Sequence, residues 1–240
     1  MVVRLLSSAF ATFYWIGIYI KPKEGLRDDP AVIKNTMVRI VTSTTVAIAL
    51  GPFAAQTLIG GDYWQNFNLM GLQMSPKGVA IALGLTMTLF SGPIIRNGIP
   101  RPEWSWPDLR DYLFGPLTEE LVYRSVIISF YKQAGLSQTR MIWETPLYFG
   151  LAHMHHALRK YRQGVPLREC IIPAIAQLAM TTLFGAYASK LFLSLGSVWP
   201  IVAAHVFCNL MGPPDIDGPW WYRTLLIGGL STFAYGLTKL

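Results

Sequence analysis

Charge is what this sequence has least of. Asp, Glu, Lys and Arg make up 14% of its 240 residues, and 52% are hydrophobic. Soluble domains carry about a quarter charged residues, so a soluble chain of this balance would lack the polar surface to cover itself. Lipid is the expected solvent. Cysteine is nearly absent: Cys170 and Cys208 are the only two. That excludes a disulfide framework and offers no zinc-ligand spacing. Internal repeats are missing too, which counts against transporter folds built from repeated halves. The net charge of +7 comes from basic residues in short loops between apolar runs. Membrane topology accounts for them, and nucleic acid is excluded as a partner.

What remains is mostly apolar runs. Residues 40–61, 170–189 and 191–214 contain no charged side chain, and 5–20, 78–95 and 224–238 are shorter stretches of the same kind. A spanning helix needs roughly 20 apolar residues. The pattern predicts an all-α, polytopic membrane bundle of about eight helices around a central polar cavity. The spans are expected at 5–20, 40–59, 78–95, 114–131, 141–158, 171–194, 198–211 and 224–238. Residues 1–240 read as one multi-pass domain. The run 5–20 ends Tyr19-Ile20-Lys21 with no small-residue cleavage site, so it reads as a first membrane helix and not as a cleaved signal. With loops taken alternately, 13 basic residues fall on one side and 5 on the other. The richer side should be cytoplasmic, and both termini then face away from the cytosol.

Three segments break the apolar pattern. The first is Phe114-Gly115-Pro116-Leu117-Thr118-Glu119-Glu120-Leu121-Val122-Tyr123-Arg124. Pro116 suits the first turn of a helix, and acids just after it match the positive end of the helix dipole. Apolar residues follow at once, so two carboxylates and an arginine enter a span, where such groups are costly and face a polar interior. Glu120 and Arg124 are four apart with the acid first, the favourable order for an ion pair. Glu119 points about 100° away and has no partner within the motif, which leaves it for proton transfer. Capping and neutralisation are the bland alternative for both acids.

The second segment is Phe149-Gly150-Leu151-Ala152-His153-Met154-His155-His156. Adjacent His155 and His156 cannot both point at one site. The expectation is one inward histidine, His153, sharing a face with Phe149, and two near the cytoplasmic interface. In the third, His205-Val206-Phe207-Cys208-Asn209, His205 and Asn209 share a face. Both can donate hydrogen bonds, and buried without partners they would be expensive. Pro200 to Met211 makes roughly 18 Å of helix, shorter than the membrane core, which leaves room for a water-filled cavity. A core histidine and an interhelical hydrogen-bond pair are the bland alternatives. Together the segments supply a base, a second proton-handling group and two donors, the parts of water-driven acyl cleavage.

In this order, the three segments closely resemble the type II CAAX prenyl endopeptidases, the Ras-converting enzymes of the glutamate-dependent intramembrane protease group. Weaker similarity covers Arg27 to Lys34 and Thr182 to Tyr187, and the whole extends over about residues 15–215. His155-His156 and Phe207-Cys208 favour the eukaryotic branch. The resemblance implies that Glu119 activates water and His153 shares in handling the proton. It implies that His205 and Asn209 stabilise the oxyanion, and that Glu120 and Arg124 support the site. It implies no metal or other cofactor. It also implies action at the endoplasmic reticulum membrane, from a site open to the cytosolic side and in contact with membrane lipid. The expected substrates are farnesylated or geranylgeranylated CaaX proteins such as small GTPases, which would lose their last three residues.

Three other readings remain at this level. One is a metalloprotease with Glu119, His153 and His205 as ligands. Another is a thiol protease using Cys208, for which no activating group is evident. The third is a non-enzymatic proton-coupled carrier or scaffold.

Overall fold

A computed structural model describes residues 1–19 and 25–240, with Ile18, Tyr19, His155, His156, Leu158 and Arg159 described for their backbone alone. Lys21 and Lys23, and the side chains of His155, His156 and Arg159, therefore lie outside the described residues. Among the described residues all regular structure is helical, with no strand.

The helices are α1 (Val2–Tyr19), α2 (Pro30–Leu58), α3 (Tyr63–Asn68), α4 (Pro76–Leu89) and α5 (Ser91–Asn97). A run of short segments follows: α6 (Trp106–Asp108), π1 (Leu109–Phe114), α7 (Gly115–Glu120), π2 (Leu121–Val126) and α8 (Ile127–Gln133). The rest are α9 (Gln138–Ala152), α10 (His155–Arg162), α11 (Leu167–Leu195), α12 (Trp199–Met211) and α13 (Trp220–Thr238).

Among the described residues, α2 and α11 are long and apolar enough to cross a membrane by themselves, each with 29 residues. The α4–α5 pair reaches the same standard together, bent by 76°. Each turns a set of large apolar residues outward. On α11, Ile172 is 74% exposed, with Ile175, Met180 and Leu183 beside it. An outward stripe of this kind is stable against lipid and not against water.

Several boundaries depart from the sequence expectation. The fourth expected span, 114–131, does not open a helix near Phe114, because helix runs without a break from Trp106 to Gln133. The reason lies in π1. Gly115 N–H bonds five residues back to Arg110 O, and this wider turn accommodates a proline that would otherwise break the ladder. The acids therefore stand inside a helical run and not at its start. The expected span 141–158 is interrupted at His153-Met154, two turn residues that separate α9 from α10. The expected loop around Arg27 to Lys34 is helical from Pro30, with Asp29 capping α2 through its side chain.

The core forms around π2 and α8. Val122 through Tyr131 are buried without interruption, and Arg124 is the largest fully buried side chain. α1 and α2 pack on this segment, α9 pairs with α11, and α12 lies against α4 and α7. α13 approaches α4 so closely that a Cβ on Gly229 would stand 2.2 Å from Thr88 O. Two hydrogen bonds fix the start of α12. Val198 N–H donates to Gly71 O at 2.9 Å, and Trp199 Nε1–H donates to Leu72 O at 2.8 Å. Ser125 of π2 holds the same loop through Met70 O. The segment carrying His205 and Asn209 is thereby tied to the segment carrying Arg124.

Candidate active site

The acids and His205 meet where α7, π2 and α12 converge. Glu120 is fully buried and Arg124 is 1% exposed. Their contact is Arg124 Nε to Glu120 Oε2, 3.1 Å, across four residues. Neither Glu120 Oε2 nor the two Arg124 Nη atoms have an aligned hydrogen bond, so the attraction is mainly one of charge. The guanidinium lies over the rings of Phe149 at 4.6 Å and Phe184 at 5.7 Å, a cation–π arrangement. It fits because residue 185 is glycine. A Cβ there would stand 2.6 Å from Pro146 Cβ and 3.1 Å from Arg124 Nη2.

The other oxygen of Glu120 belongs to His205. Nδ1 of that ring lies 2.6 Å from Glu120 Oε1, and Nε2 lies 3.8 Å from Glu119 Oε2. The second distance is too long for a direct hydrogen bond. His205 is thus bracketed by the two carboxylates, with the ring of Phe184 against it at 4.6 Å. Of the two acids, Glu119 is the one with access, its side chain 23% exposed.

His153 ends α9. Its Nδ1 lies 2.8 Å from Phe149 O. A carbonyl only accepts, so Nδ1 carries the hydrogen and Nε2 is the acceptor when the ring is neutral. Phe149 stacks edge-on against His153 at 4.6 Å and against His205 at 6.2 Å. Phe149 is thus the shared wall of the site, in contact with Arg124 and both rings.

Asn209 sits at the exposed end of α12, one turn beyond His205. Its Nδ2 donates to Asp111 O of π1 at 3.0 Å. Asp111 is itself held by Arg110 through two bonds, 2.7 and 2.8 Å. Arg110 also reaches Asp28 Oδ1 and Arg27 O, both at 3.1 Å. Its hydrogen bonds to Asp111 raise Arg110 above the ordinary guanidinium range. Sequence reasoning did not single out Asp111 or the early-loop pairing. Nor did it find Tyr14, whose hydroxyl bonds Thr118 beside Glu119 at 2.9 Å. A lone tyrosine in an apolar run and an Arg-Asp dipeptide carry no signal of a partner about a hundred residues away.

Cys208 is a free, partly buried thiol. Among the described residues no three His, Cys, Asp or Glu side chains are grouped to hold a metal ion.

Comparison with known proteins identifies the family. Residues 102–211, which hold all three segments, match the family described as "Type II CAAX prenyl endopeptidase Rce1-like". The chain is 29% identical to the "Probable CAAX prenyl protease 2" of Schizosaccharomyces pombe, over 99% of this chain and 94% of that protein. It is 31% identical to the "CAAX prenyl protease 2" of Homo sapiens, over 87% of this chain and 70% of that one. Against the Saccharomyces cerevisiae protein of the same name the identity is 26%, over 81% and 74%. No solved structure matches. With paired glutamates, two histidines and an asparagine set among apolar helices, and with relatives of this name along nearly its whole length, the chain belongs to the type II CAAX prenyl endopeptidase family of membrane-embedded peptide hydrolases.

Proposed function

We propose that this chain removes the C-terminal tripeptide from prenylated CaaX proteins by means of water activated at Glu119. The observation that carries the reading is the chain of contacts Arg124–Glu120–His205–Glu119, at 3.1, 2.6 and 3.8 Å, inside an apolar bundle. Buried ionisable groups are costly in a membrane and mark functional sites there. A structural ion pair needs two members, and this chain has four.

In the proposed mechanism a water molecule lies against Glu119, the exposed end of that chain. Its oxygen attacks the scissile carbonyl carbon, and its proton passes to Glu119, with His153 Nε2 as a second acceptor. Negative charge collects on the carbonyl oxygen. Nε2–H of His205 meets that charge together with Asn209. One amide hydrogen of Asn209 is held by Asp111 O, which orients the group and leaves its second hydrogen for the substrate. A donor fixed in a water-poor site contributes about 2.7–4 kcal/mol to the transition state. When the C–N bond breaks, the proton held at Glu119 and His153 goes to the leaving amine.

The substrate class comes from the relatives' names together with the surroundings. A prenyl tail already lies in the bilayer, so a site among apolar helices meets it by lateral diffusion. The reading includes a single domain of eight spans around a central polar cavity. It also includes an endoplasmic reticulum location, with the site open to the cytosol on the side where 13 basic residues gather. Farnesylated and geranylgeranylated small GTPases fit as substrates.

The test is direct. Purified protein is incubated with a farnesylated CaaX peptide and, in parallel, with its unprenylated counterpart. Release of the intact tripeptide from the farnesylated peptide is expected. No release, or equal release from both, rejects the proposal.

A further inference from the structure

Glu120 has no exposed surface, so it cannot touch a substrate. A buried carboxylate of this kind is costly unless its charge is matched. Its oxygens are divided between two partners. Oε2 faces Arg124 Nε at 3.1 Å, and Oε1 faces His205 Nδ1 at 2.6 Å. An ionised carboxylate only accepts hydrogen bonds, so His205 carries a hydrogen on Nδ1. This bond turns Nε2 toward Glu119, and the rings of Phe184 and Phe149 pack against the imidazole.

The tautomer has a chemical consequence. A neutral ring with its hydrogen on Nδ1 can only accept at Nε2. To donate at Nε2 the ring must hold a second proton, and the resulting positive charge is what a buried carboxylate at Nδ1 stabilises. The charges then alternate along the chain: positive Arg124, negative Glu120, positive His205, negative Glu119.

We infer that Glu120 is a positioning residue for the hydrolysis. It fixes His205 through Nδ1–H and stabilises the doubly protonated ring, so that Nε2–H donates to the developing oxyanion. Arg124 acts one step further back, keeping Glu120 ionised. The inference rests on the glutamate–water reading above and deepens it. It changes the meaning of the Glu120–Arg124 pair from a brace of the bundle to the part that sets the protonation of His205.

Two measurements test it. The first uses intact protein labelled with 15N-histidine. The chain has four histidines, and the variant His205→Asn identifies the signals that belong to His205. The expected spectrum has Nδ1 and Nε2 both protonated at the pH of maximal activity. An unprotonated Nδ1 overturns the inference, and so does an unprotonated Nε2.

The second uses the double variant Glu120→Gln with Arg124→Met, which strands neither charge. Its kcat should fall by about 10²–10⁴-fold, with KM within about twofold. A merely structural role would lower the folded fraction and leave turnover per folded molecule unchanged. A kcat within about threefold of the parent overturns the inference. Glu119→Gln, measured alongside, separates the two readings. If Glu119→Gln is inactive while the double variant is normal, only the role of Glu120 is wrong. If Glu119→Gln is itself normal, the hydrolytic reading fails.

Discussion

Replacing Arg124 with methionine tests whether charge holds the centre of the bundle. Methionine is apolar, flexible and long enough to occupy much of the same space between Phe149 and Phe184, so the cavity contribution stays small. What it removes is the positive charge 3.1 Å from Glu120 Oε2. Glu120 is then left fully buried, with His205 as its remaining partner. Breaking a buried pair by removing one member costs about 3–5 kcal/mol, and the surviving 2.6 Å bond to His205 points to the lower part of that range. For a chain of this size, 1 kcal/mol moves the unfolding midpoint by roughly 2–4 °C, so a fall of about 6–12 °C is expected. The assay is thermal unfolding in detergent, followed by tryptophan fluorescence. Adding Glu120→Gln should then recover more than half of the loss, because no charge is left stranded. An unchanged midpoint for Arg124→Met, or a double variant less stable than Arg124→Met alone, would refute the reasoning.

Other outcomes follow from the same geometry. Glu119→Gln should abolish tripeptide release while leaving the unfolding midpoint within a few degrees, and near-normal turnover removes Glu119 from the chemistry. Asn209→Ala should lower kcat by about 10²–10³-fold with little change in KM. Asn209→Asp should be at least as damaging, since an acceptor replaces the donor, and a stability loss with normal turnover would assign Asn209 to packing alone. Cleavage should survive exhaustive chelation and thiol alkylation that reaches Cys208, and loss restored by zinc would instead favour a metal reading. Gly185→Ala should destabilise by about 1–3 kcal/mol through overpacking, because its methyl group would stand 2.6 Å from Pro146 Cβ. A neutral result would mean that α9 and α11 are less tightly apposed around Arg124.

Some of this protein was settled within single helices, where sequence spacing suffices. Helical periodicity puts Glu120 and Arg124 on one face, and they pair at 3.1 Å even though Arg124 lies within the wider turns of π2. The same spacing puts His205 and Asn209 on one side of α12. The charge-free stretches foretold α2 and α11, since apolar length alone decides whether a helix suits lipid. Tertiary structure decided what these faces meet. Glu120 shares itself with His205, 85 residues away; Asn209 spends one hydrogen on the backbone of Asp111; and Arg124 lies over Phe149 and Phe184 because Gly185 leaves room. None of these contacts has a period in the sequence. They depend on how closely neighbouring helices pack, and that is set by small residues and side-chain volume on several elements at once. Helix ends were likewise beyond local reading. A π turn carried the helix past Pro116, and α9 stopped at His153, because backbone geometry in a packed bundle answers to its neighbours as well as to its own residues.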